Sequence, residues 1–346
     1  EADLLQLLKN SVGQFYSPLF GFNNIPGWDF RYGYQAKMSA GAELMFEGEF
    51  APVQTQIPLQ VGWKIVAYLP EDPQRAAVSF ENIVDLLEIA KDGMGRFYLP
   101  AFGFDNMGNL VRGQGYQIQL TEETELIWNV GEQGQAANLL PTDKAKYFIA
   151  PEPTGRNMSF LITESPNLDD DVEIAAFSED NICVGSTVLS GEGPWGIAIW
   201  GDDPGTSDIE GAIEGDELNF VMRQHGHNTD IEPSWIVGNS TFNTDTYAVA
   251  SVPADALLPV EFVFEAPYPN PFNNSTTIKF SLPESENVDL TVHDLAGREV
   301  ISLVQGSFEA GHHSLSLKAD GLSSGIYILS FKAGETSASA KLMLLR

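Results

Sequence analysis

Apolar and polar positions alternate over short runs along most of the chain, which is typical of β-strands with one buried face. Residues 116–120 show the pattern clearly, because aromatic or aliphatic side chains there are separated by glutamine. Clusters of Gly, Pro, Asn and Asp divide the runs, and none of the runs reaches the roughly 18 residues of a membrane helix. The pattern predicts a mainly β protein of many short strands and no direct insertion into a membrane.

The first 130 residues contain an internal repeat, which is the first feature to establish in a chain of this length. Residues 3–48 align without a gap with residues 85–130, at a constant offset of 82. The identical pairs include Lys9/Lys91, Gly13/Gly95, Phe15/Phe97, Tyr16/Tyr98, Pro18/Pro100, Phe22/Phe104, Asn24/Asn106, Gly33/Gly115 and Tyr34/Tyr116. These matches predict two copies of one small β-rich module, copy one over residues 1–50 and copy two over residues 56–135.

Each copy is expected to begin with a short helix or helical turn, at residues 3–8 and 85–90, followed by a strand at 12–17 and 94–99. Two more strands are predicted in copy one, at residues 34–38 and 44–46. The recurrent Phe and Tyr residues suit either a sugar-stacking platform or a core. Core packing is the prediction here, since aromatic side chains carry much of the buried area in small β modules.

The two copies differ in what precedes them. Copy two follows an apolar run at residues 61–70 that predicts a strand, whereas copy one begins at Glu1 with no counterpart to that strand. The sequence opens without Met or a signal peptide, so we expect a chain that was processed or cut from something larger. A module short of one strand exposes unpaired backbone groups, and a strand from an upstream part of the polypeptide or from another subunit would fill the gap. In the second case the protein would self-associate.

Negative charge is concentrated in the middle of the chain. The net charge of −30 reflects 18 basic and 48 acidic residues. Residues 148–265 contain 22 of the acidic residues but only two basic ones, Arg156 and Arg223. Such a step in composition indicates a separate domain, and the overall charge argues against nucleic acid and anionic lipid as partners. Six strand-like runs separated by turn residues predict an acidic, Ig-like β-sandwich over residues 148–260.

Acidic loops in this segment are candidate calcium sites, because Ca²⁺ prefers six to eight oxygen ligands from carboxylates and carbonyls. The candidate ligands are Asp169, Asp170, Asp171, Asp202, Asp203, Asp208 and Asp216. Their spacing matches neither an EF-hand nor an RTX pattern, so a solvated acidic surface is the favoured interpretation and a calcium site is the alternative. Calcium is the one cofactor that the sequence suggests.

Other candidate groups in the segment have structural alternatives. Trp195 and Trp235 could contact a glycan or pack in the sandwich core. His225 and His227 are interpreted as a turn, because no third ligand follows at a zinc spacing. The single cysteine, Cys183, rules out an intrachain disulfide and is expected to pack as a small apolar residue. No nucleophile elbow, P-loop, dinucleotide or zinc-protease motif is found, so no enzymatic activity is predicted.

The last eighty residues predict a compact sandwich of about seven strands over residues 266–346. A Pro-rich stretch at 266–276 opens it and is expected to stay extended and outside the central strands. Several short motifs follow in order, YPNPFN, DLAGREV, SSGIY and KLMLLR. Their principal residues are Tyr268, Pro269, Asn270, Pro271, Phe272, Asn273, Gly297, Arg298, Gly325, Tyr327 and Lys341.

In these motifs the segment resembles the type A C-terminal sorting domain of type IX secretion cargo from Gram-negative bacteria. The one departure is Asn274, where the family usually has Pro. The resemblance implies that the type IX machinery reads this domain and exports the protein across the outer membrane, to the medium or the cell surface. The first half and the middle segment also resemble modules that accompany such domains, and neither carries a known activity.

Together the patterns predict a mainly β chain, with tandem β-rich repeats followed by two β-sandwich domains. The favoured function is that of a non-catalytic structural or adhesive surface protein, which could assemble into an extracellular polymer through strand addition. The alternative is a carbohydrate-binding accessory region of a larger secreted hydrolase.

Overall fold

The computed structural model describes residues 4–42, 48–130, 145–165, 172–190, 193–224, 227–253, 259, 262–319 and 321–345. Strands dominate these residues, which confirms the mainly β fold class. The chain divides into two compact units, Glu1–Val252 and Pro253–Arg346. Among the described residues there is no helix with the length and apolarity to span a membrane.

Copy one forms a sheet with the strand order β3-β2-β1-β4. Its strands are β1 Leu5–Lys9, β2 Phe15–Ser17, β3 Phe22–Asn23 and β4 Gln35–Met38. The helix predicted over residues 3–8 was therefore wrong. Leu5–Lys9 instead lies between β2 and β4 and pairs with both, so sheet pairing outweighs the helical preference of its leucines. The strand predicted at residues 44–46 lies outside the described residues.

Copy two repeats this arrangement. Its strands β8 Leu87–Lys91, β9 Phe97–Leu99 and β10 Phe104–Asp105 begin and end 82 residues after β1, β2 and β3. The remaining elements are β5 Ile57–Leu59, β6 Gly62–Ala67, β7 Gln74–Arg75, α1 Ala76–Ser79, β11 Asn109–Leu110, β12 Gly115–Leu120, β13 Thr124–Leu126 and the 3₁₀ helices Glu81–Leu86 and Pro100–Phe102. The main sheet has the order β10-β9-β8-β12-β6, so β6 extends it beyond β12, whereas the described sheet of copy one ends at β4, the counterpart of β12.

The hairpin turn after the first strand of each module is built in the same way. Gly13 and Gly95 adopt φ values of +79° and +77°, a left-handed conformation that favours glycine. In copy two, the Asp92 carboxylate accepts hydrogen bonds from the backbone N–H groups of Met94 and Arg96. In copy one, Asn10 accepts the equivalent bonds from Val12 and Gln14. The repeat in sequence is thus a repeat in backbone geometry.

One face of the copy two sheet is covered by elements that mostly precede β8 in the chain. The core there includes Tyr68, Phe80, Leu110, Ile118 and Trp128. The Trp128 ring lies 4.9 Å from the Tyr68 ring and 5.3 Å from the Phe80 ring. The recurrent Phe97, Tyr98, Phe104 and Tyr116 of copy two are buried as predicted, whereas Phe15, Phe20 and Phe22 of copy one are exposed.

The acidic segment forms two four-stranded sheets with the orders β17-β14-β21-β20 and β16-β15-β18-β19. The strands are β14 Asn157–Ile162, β15 Val172–Phe177, β16 Cys183–Leu189, β17 Trp195–Trp200, β18 Asn219–Gln224, β19 His227–Ile231, β20 Ser234–Val237 and β21 Tyr247–Ser251. The sequence patterns missed β19 and β20, and His227 begins β19. The pairing of β14 with β21 is parallel, and the other pairings within these two sheets are antiparallel.

The other face of the copy two sheet packs on the outer side of β14 and β21. Phe97 and Phe104 share a buried cluster there with Leu161 of β14 and Val249 of β21. The backbones also approach closely, because a Cβ on Gly95 would lie 2.4 Å from the Cβ of Ala198. Copy two is therefore buried on both faces.

The C-terminal unit contains seven described strands in two sheets, β22-β23-β26 and β25-β24-β27-β28. They are β22 Val263–Phe264, β23 Ser275–Leu282, β24 Glu286–His293, β25 Glu299–Phe308, β26 Gly311–Lys318, β27 Gly325–Ala333 and β28 Thr336–Leu344. About seven strands were predicted over residues 266–346, and six of the seven described strands lie there, because β22 precedes residue 266. The core between the sheets includes Phe272, Phe280, Leu290 and Phe331.

Candidate functional site

The first and last motifs of the C-terminal unit contact each other. Asn270 donates from Nδ2 to the backbone oxygen of Lys341 at 2.6 Å, and its Oδ1 accepts from the backbone N–H of Met343 at 2.9 Å. Phe272 extends the contact, since it exchanges backbone hydrogen bonds with Met343 and Leu345. The Phe272 ring is buried in the core. The YPNPFN motif therefore pairs along β28, the last strand of its sheet, and satisfies backbone groups that an open edge would leave unpaired.

The rest of the YPNPFN motif is exposed. Tyr268 exchanges two backbone hydrogen bonds with Thr277, but its ring points to solvent. The peptide bonds preceding Pro269 and Pro271 are cis. Asn273 is also exposed. The motif thus anchors itself through Asn270 and Phe272 and presents Tyr268 and Asn273 outward.

The DLAGREV motif forms the tight turn between β24 and β25. The Asp294 carboxylate accepts from the backbone N–H groups of Ala296 and Arg298 and pairs with the Arg298 guanidinium at 2.7 Å. Hydrogen bonds from the Arg298 and Ala296 backbones, with the Arg298 side chain, lower the pKa of Asp294. Gly297 takes the left-handed position of the turn, with a φ of +78°. This arrangement matches that of Asp92, Gly95 and Arg96 in copy two.

In the SSGIY motif, Gly325 begins β27, and the Tyr327 hydroxyl donates to the backbone oxygen of Ser323 at 2.8 Å. Lys341 lies in β28 with an exposed side chain, and its backbone oxygen is the one that Asn270 binds. The structure therefore brings YPNPFN and KLMLLR together, while DLAGREV forms a separate turn.

A second candidate site is the open face of copy one. Trp28 stacks on Tyr34 with ring centroids 4.4 Å apart, yet 59% of Trp28 is exposed. The equivalent position in copy two is Leu110, which is fully buried. Met38 at the end of β4 is 38% exposed, against 1% for its equivalent Leu120. Copy one thus presents to solvent the face that copy two buries in its core.

The described acidic loop uses its carboxylates within the protein. Asp203 pairs with Lys37 of copy one at 2.5 Å, and the hydrogen bond from Lys37 lowers the pKa of Asp203. Asp202 accepts from the backbone N–H of Glu210, and Asp216 accepts from that of Ile213. The backbone oxygen of Asp208 accepts from the Thr206 hydroxyl.

No group of three or more potential metal ligands converges in the part of the chain that the structure describes. Asp169, Asp170 and Asp171 lie outside that part. Calcium binding therefore stays a prediction.

The two tryptophans proposed as glycan contacts lie on the same sheet but on different outer strands. Trp195 of β17 lies opposite Ile162 of β14, and Trp235 of β20 lies opposite Ala250 of β21. Strands β14 and β21 therefore separate the two tryptophans. The Trp235 ring lies 5.5 Å from Phe160 and 5.8 Å from Phe220, within the sandwich interior. They do not form one contiguous stacking surface.

Cys183 is partly buried at the start of β16, and burial raises the pKa of its thiol. A thiol with a raised pKa is a poor nucleophile at neutral pH. This agrees with its interpretation as a small packing residue.

Comparison with known proteins identifies the C-terminal unit. Residues 266–345 match the family described as "Secretion system C-terminal sorting domain". The chain is therefore a type IX secretion cargo with a C-terminal sorting domain, as the motifs predicted. Export to the cell surface or the extracellular space and handling by the type IX machinery follow from that domain.

The remaining comparisons are distant, and none of the curated proteins matches the sequence. Domains 4 and 5 of the S-layer protein SbsC align at 11% identity with a TM-score of 0.19, covering 40% of this chain and 69% of theirs. The BSP domain of a biofilm associated protein aligns at 10% identity with a TM-score of 0.18, covering 54% of this chain and 28% of that one. BcpA, the major pilin subunit of Bacillus cereus, aligns at 11% identity with a TM-score of 0.18, covering 54% of this chain and 68% of that one.

Proposed function

We propose that this protein is a non-catalytic structural component of the bacterial surface. It is exported through its sorting domain and assembles into an extracellular polymer when a strand-containing segment of another subunit completes copy one. The observation that carries the proposal is the difference between the two repeats. They share one backbone, but the face that is buried in copy two is exposed in copy one.

The copy two sheet shows what a completed module requires. Strand β6 pairs with β12 over six residues, from Gly62 to Ala67. Ile57 and Leu59 of β5, together with Phe80, lie over the sheet and bury Leu110 and Ile118. All of these covering groups belong to residues 57–86, immediately before β8. A donor segment for copy one would need the same alternation of apolar residues as residues 57–86, and enough length to pair with the edge strand and cover the sheet.

The edge of copy one agrees with this requirement. Among the described strands, β4 pairs only with β1, whereas its counterpart β12 pairs with both β8 and β6. Residues 31–33, just before β4, form backbone hydrogen bonds with Ile65 and Ala67 on the outer edge of β6. The rest of β4 offers backbone groups and the exposed Met38 side chain to an incoming strand. Main-chain pairing then supplies affinity, and apolar pockets supply specificity.

Strand addition is tested directly with a synthetic peptide of residues 57–86, the segment that completes copy two. We expect the peptide to bind the intact chain and to change the fluorescence of Trp28 as that side chain becomes buried. A scrambled peptide should not bind. Ala36→Asp, which places a charge on the open face, should abolish binding without unfolding copy two.

Assembly itself is measured by light scattering of residues 1–346 over a range of concentrations. Growth in mass, suppressed by the 57–86 peptide and by Ala36→Asp, supports the proposal. A monodisperse monomer whose first repeat resists proteases and ignores the peptide would overturn it. Export is tested separately, since deletion of residues 266–346 should retain the protein inside the cell without changing the unfolding of residues 1–252.

A further inference from the structure

Three polar side chains meet where copy two packs on the acidic sandwich. Lys91 ends β8, and its side chain is 1% exposed. Its Nζ lies 2.8 Å from Oδ1 of Asn157, the first residue of β14, and 2.5 Å from Oδ1 of Asp245. Asn157 and Asp245 are also joined through their backbones, because the Asp245 N–H donates to the Asn157 carbonyl oxygen at 3.0 Å.

The surroundings of Lys91 are apolar and aromatic. Its Nζ lies 4.7 Å from the centre of the Trp63 ring, and the Trp63 indole N–H donates to the backbone oxygen of Asp245 at 3.1 Å. Burial lowers the pKa of Lys91, and the Asp245 charge offsets part of that effect. Transfer of a proton to Asp245 leaves a neutral amine, which is the nucleophilic form of lysine.

Asn157 is placed as an electrophile for that amine. The C=O bond of its amide is about 1.2 Å long, so the amide carbon lies within about 4 Å of the Lys91 nitrogen. The amide nitrogen Nδ2 is buried and has no hydrogen-bond partner among the described residues. A buried amide group without a partner is costly to the fold, and its departure would remove that cost.

We propose that Lys91 and Asn157 are joined by an intramolecular amide bond, formed with Asp245 as the proton carrier. Asp245 takes a proton from the Lys91 ammonium, and the neutral amine attacks the side-chain carbonyl carbon of Asn157. A C–N bond forms to that carbon. The tetrahedral intermediate collapses as Asp245 delivers a proton to Nδ2, the bond to Nδ2 breaks, and ammonia leaves. Nothing is oxidised or reduced, and the Asp245 carboxylate is regenerated after ammonia carries away the remaining proton.

The alternative is an ion pair between the buried Lys91 and Asp245, whose side chain is 39% exposed, with no covalent step. Such a pair gains little net stability, because desolvation of the Lys91 charge offsets much of the attraction. An amide bond would remove the buried positive charge and link copy two to the sandwich covalently. The proposal concerns the link between these two modules and does not depend on strand addition to copy one.

The test is the mass of the folded, full chain. We expect the intact mass to be lower than the sequence mass by about 17 Da, the mass of one ammonia. Because a succinimide at Asn157 would give the same loss, the digest with trypsin decides between them. The amide predicts a branched peptide that joins residues 76–96 to residues 157–223, uncut after Lys91.

Variants identify the groups that react. Asp245→Asn and Asn157→Ala should each fold, judged by circular dichroism, and should show the full sequence mass and cleavage after Lys91. Lys37→Met removes a surface ion pair of similar geometry and should keep the branched peptide. A folded wild-type chain of unmodified mass, still cleaved after Lys91, would overturn the proposal even if the variants failed to fold. A branched peptide in Asp245→Asn would overturn the role given to Asp245.

Discussion

Gly33 and Gly115, which occupy the same position in the two repeats, touch each other. A Cβ on Gly33 would lie 2.9 Å from the Cα of Gly115, and a Cβ on Gly115 would lie 3.1 Å from the Cα of Gly33. The same two positions also approach the Ile65 side chain of β6. The two copies are therefore joined through a backbone contact that only glycine permits at both positions.

Replacing Gly33 with alanine should separate the two copies and destabilise the first unit by about 1–3 kcal/mol, the usual cost of forcing extra atoms into a packed site. Chemical denaturation followed by far-UV circular dichroism measures the change. Gly27→Ala is the matched control, since a Cβ there meets nothing within 4 Å. Equal stabilities of the two variants would contradict the importance of the contact.

The equivalent residues Phe15 and Phe97 should respond differently to truncation. Phe97 is fully buried against the sandwich, and Phe97→Ala should lower the free energy of unfolding by about 3–5 kcal/mol. Phe15 is 36% exposed, and Phe15→Ala should cost no more than about 1 kcal/mol in the monomer. Similar losses at the two positions would show that copy one is covered in solution.

Asn270 and Asn273 separate a folding role from a recognition role within one motif. Asn270→Ala removes two hydrogen bonds to the β28 backbone and should destabilise the C-terminal unit by about 1–3 kcal/mol. Asn273 is exposed, so Asn273→Ala should leave the melting temperature of that unit unchanged. If Asn273→Ala nevertheless blocks export, its side chain contacts the secretion machinery. Equal melting temperatures for both variants would refute the anchoring role of Asn270.

The raised pKa of Tyr68 predicts that the protein loses stability at alkaline pH. Burial raises its pKa to about 12 in the folded protein, and its hydroxyl donates to the Asp72 backbone oxygen at 2.8 Å. An unfolded tyrosine ionises near pH 10, so the unfolded state releases its proton first. The contribution of Tyr68 to the free energy of unfolding is therefore intact below about pH 10. It decreases by up to about 2.7 kcal/mol between about pH 10 and 12.

Urea unfolding at a series of pH values tests this expectation. Tyr68→Phe should reduce the decrease of the unfolding free energy with pH, whereas Tyr268→Phe, at an exposed position, should not. An unchanged slope in Tyr68→Phe would show that other tyrosines, such as Tyr116, account for the loss. The pKa of Tyr116 is also raised by burial.

Calcium is tested by thermal unfolding in EDTA and in millimolar CaCl₂. The carboxylates of Asp202, Asp203 and Asp216 already bind Lys37 or backbone N–H groups, so we expect coincident curves. A melting temperature that rises with calcium concentration would show a site, because ligand binding to the folded state stabilises it. Substitution of Asp169, Asp170 and Asp171 would then establish whether they belong to it.

The sequence predicted most of the repeat, because the pairs at offset 82 include the glycines and asparagines that set its turns. Asn24 and Asn106, for example, each accept from the backbone N–H of a β-strand phenylalanine, at 2.6 and 2.7 Å. The helix over residues 3–8 was wrong because Leu5–Lys9 pairs into a sheet with β2 on one side and with the more distant β4 on the other. Strand β19 was missed because His227–Ile231 is mostly polar and forms through its pairing with β18.

The sites were predicted unevenly for a similar reason. The sorting motifs were recognised because each is a short, contiguous stretch of sequence. The pairing of Asn270 with β28, in contrast, depends on how two segments distant in sequence pack together. Lys91, Asn157 and Asp245 carry no motif at all, since they come together only when two modules pack. Such a cluster of side chains can be recognised only in the folded structure.

The pairing of the first motif with β28 has a consequence for how the sorting domain is read. Asn270 lies before β23, and the residues that it binds lie in β28, the last strand of the second sheet. The two motifs therefore share a surface only when both ends of the sandwich are folded together. A receptor that reads both motifs at once would distinguish a folded sorting domain from one in which β28 is missing or undocked.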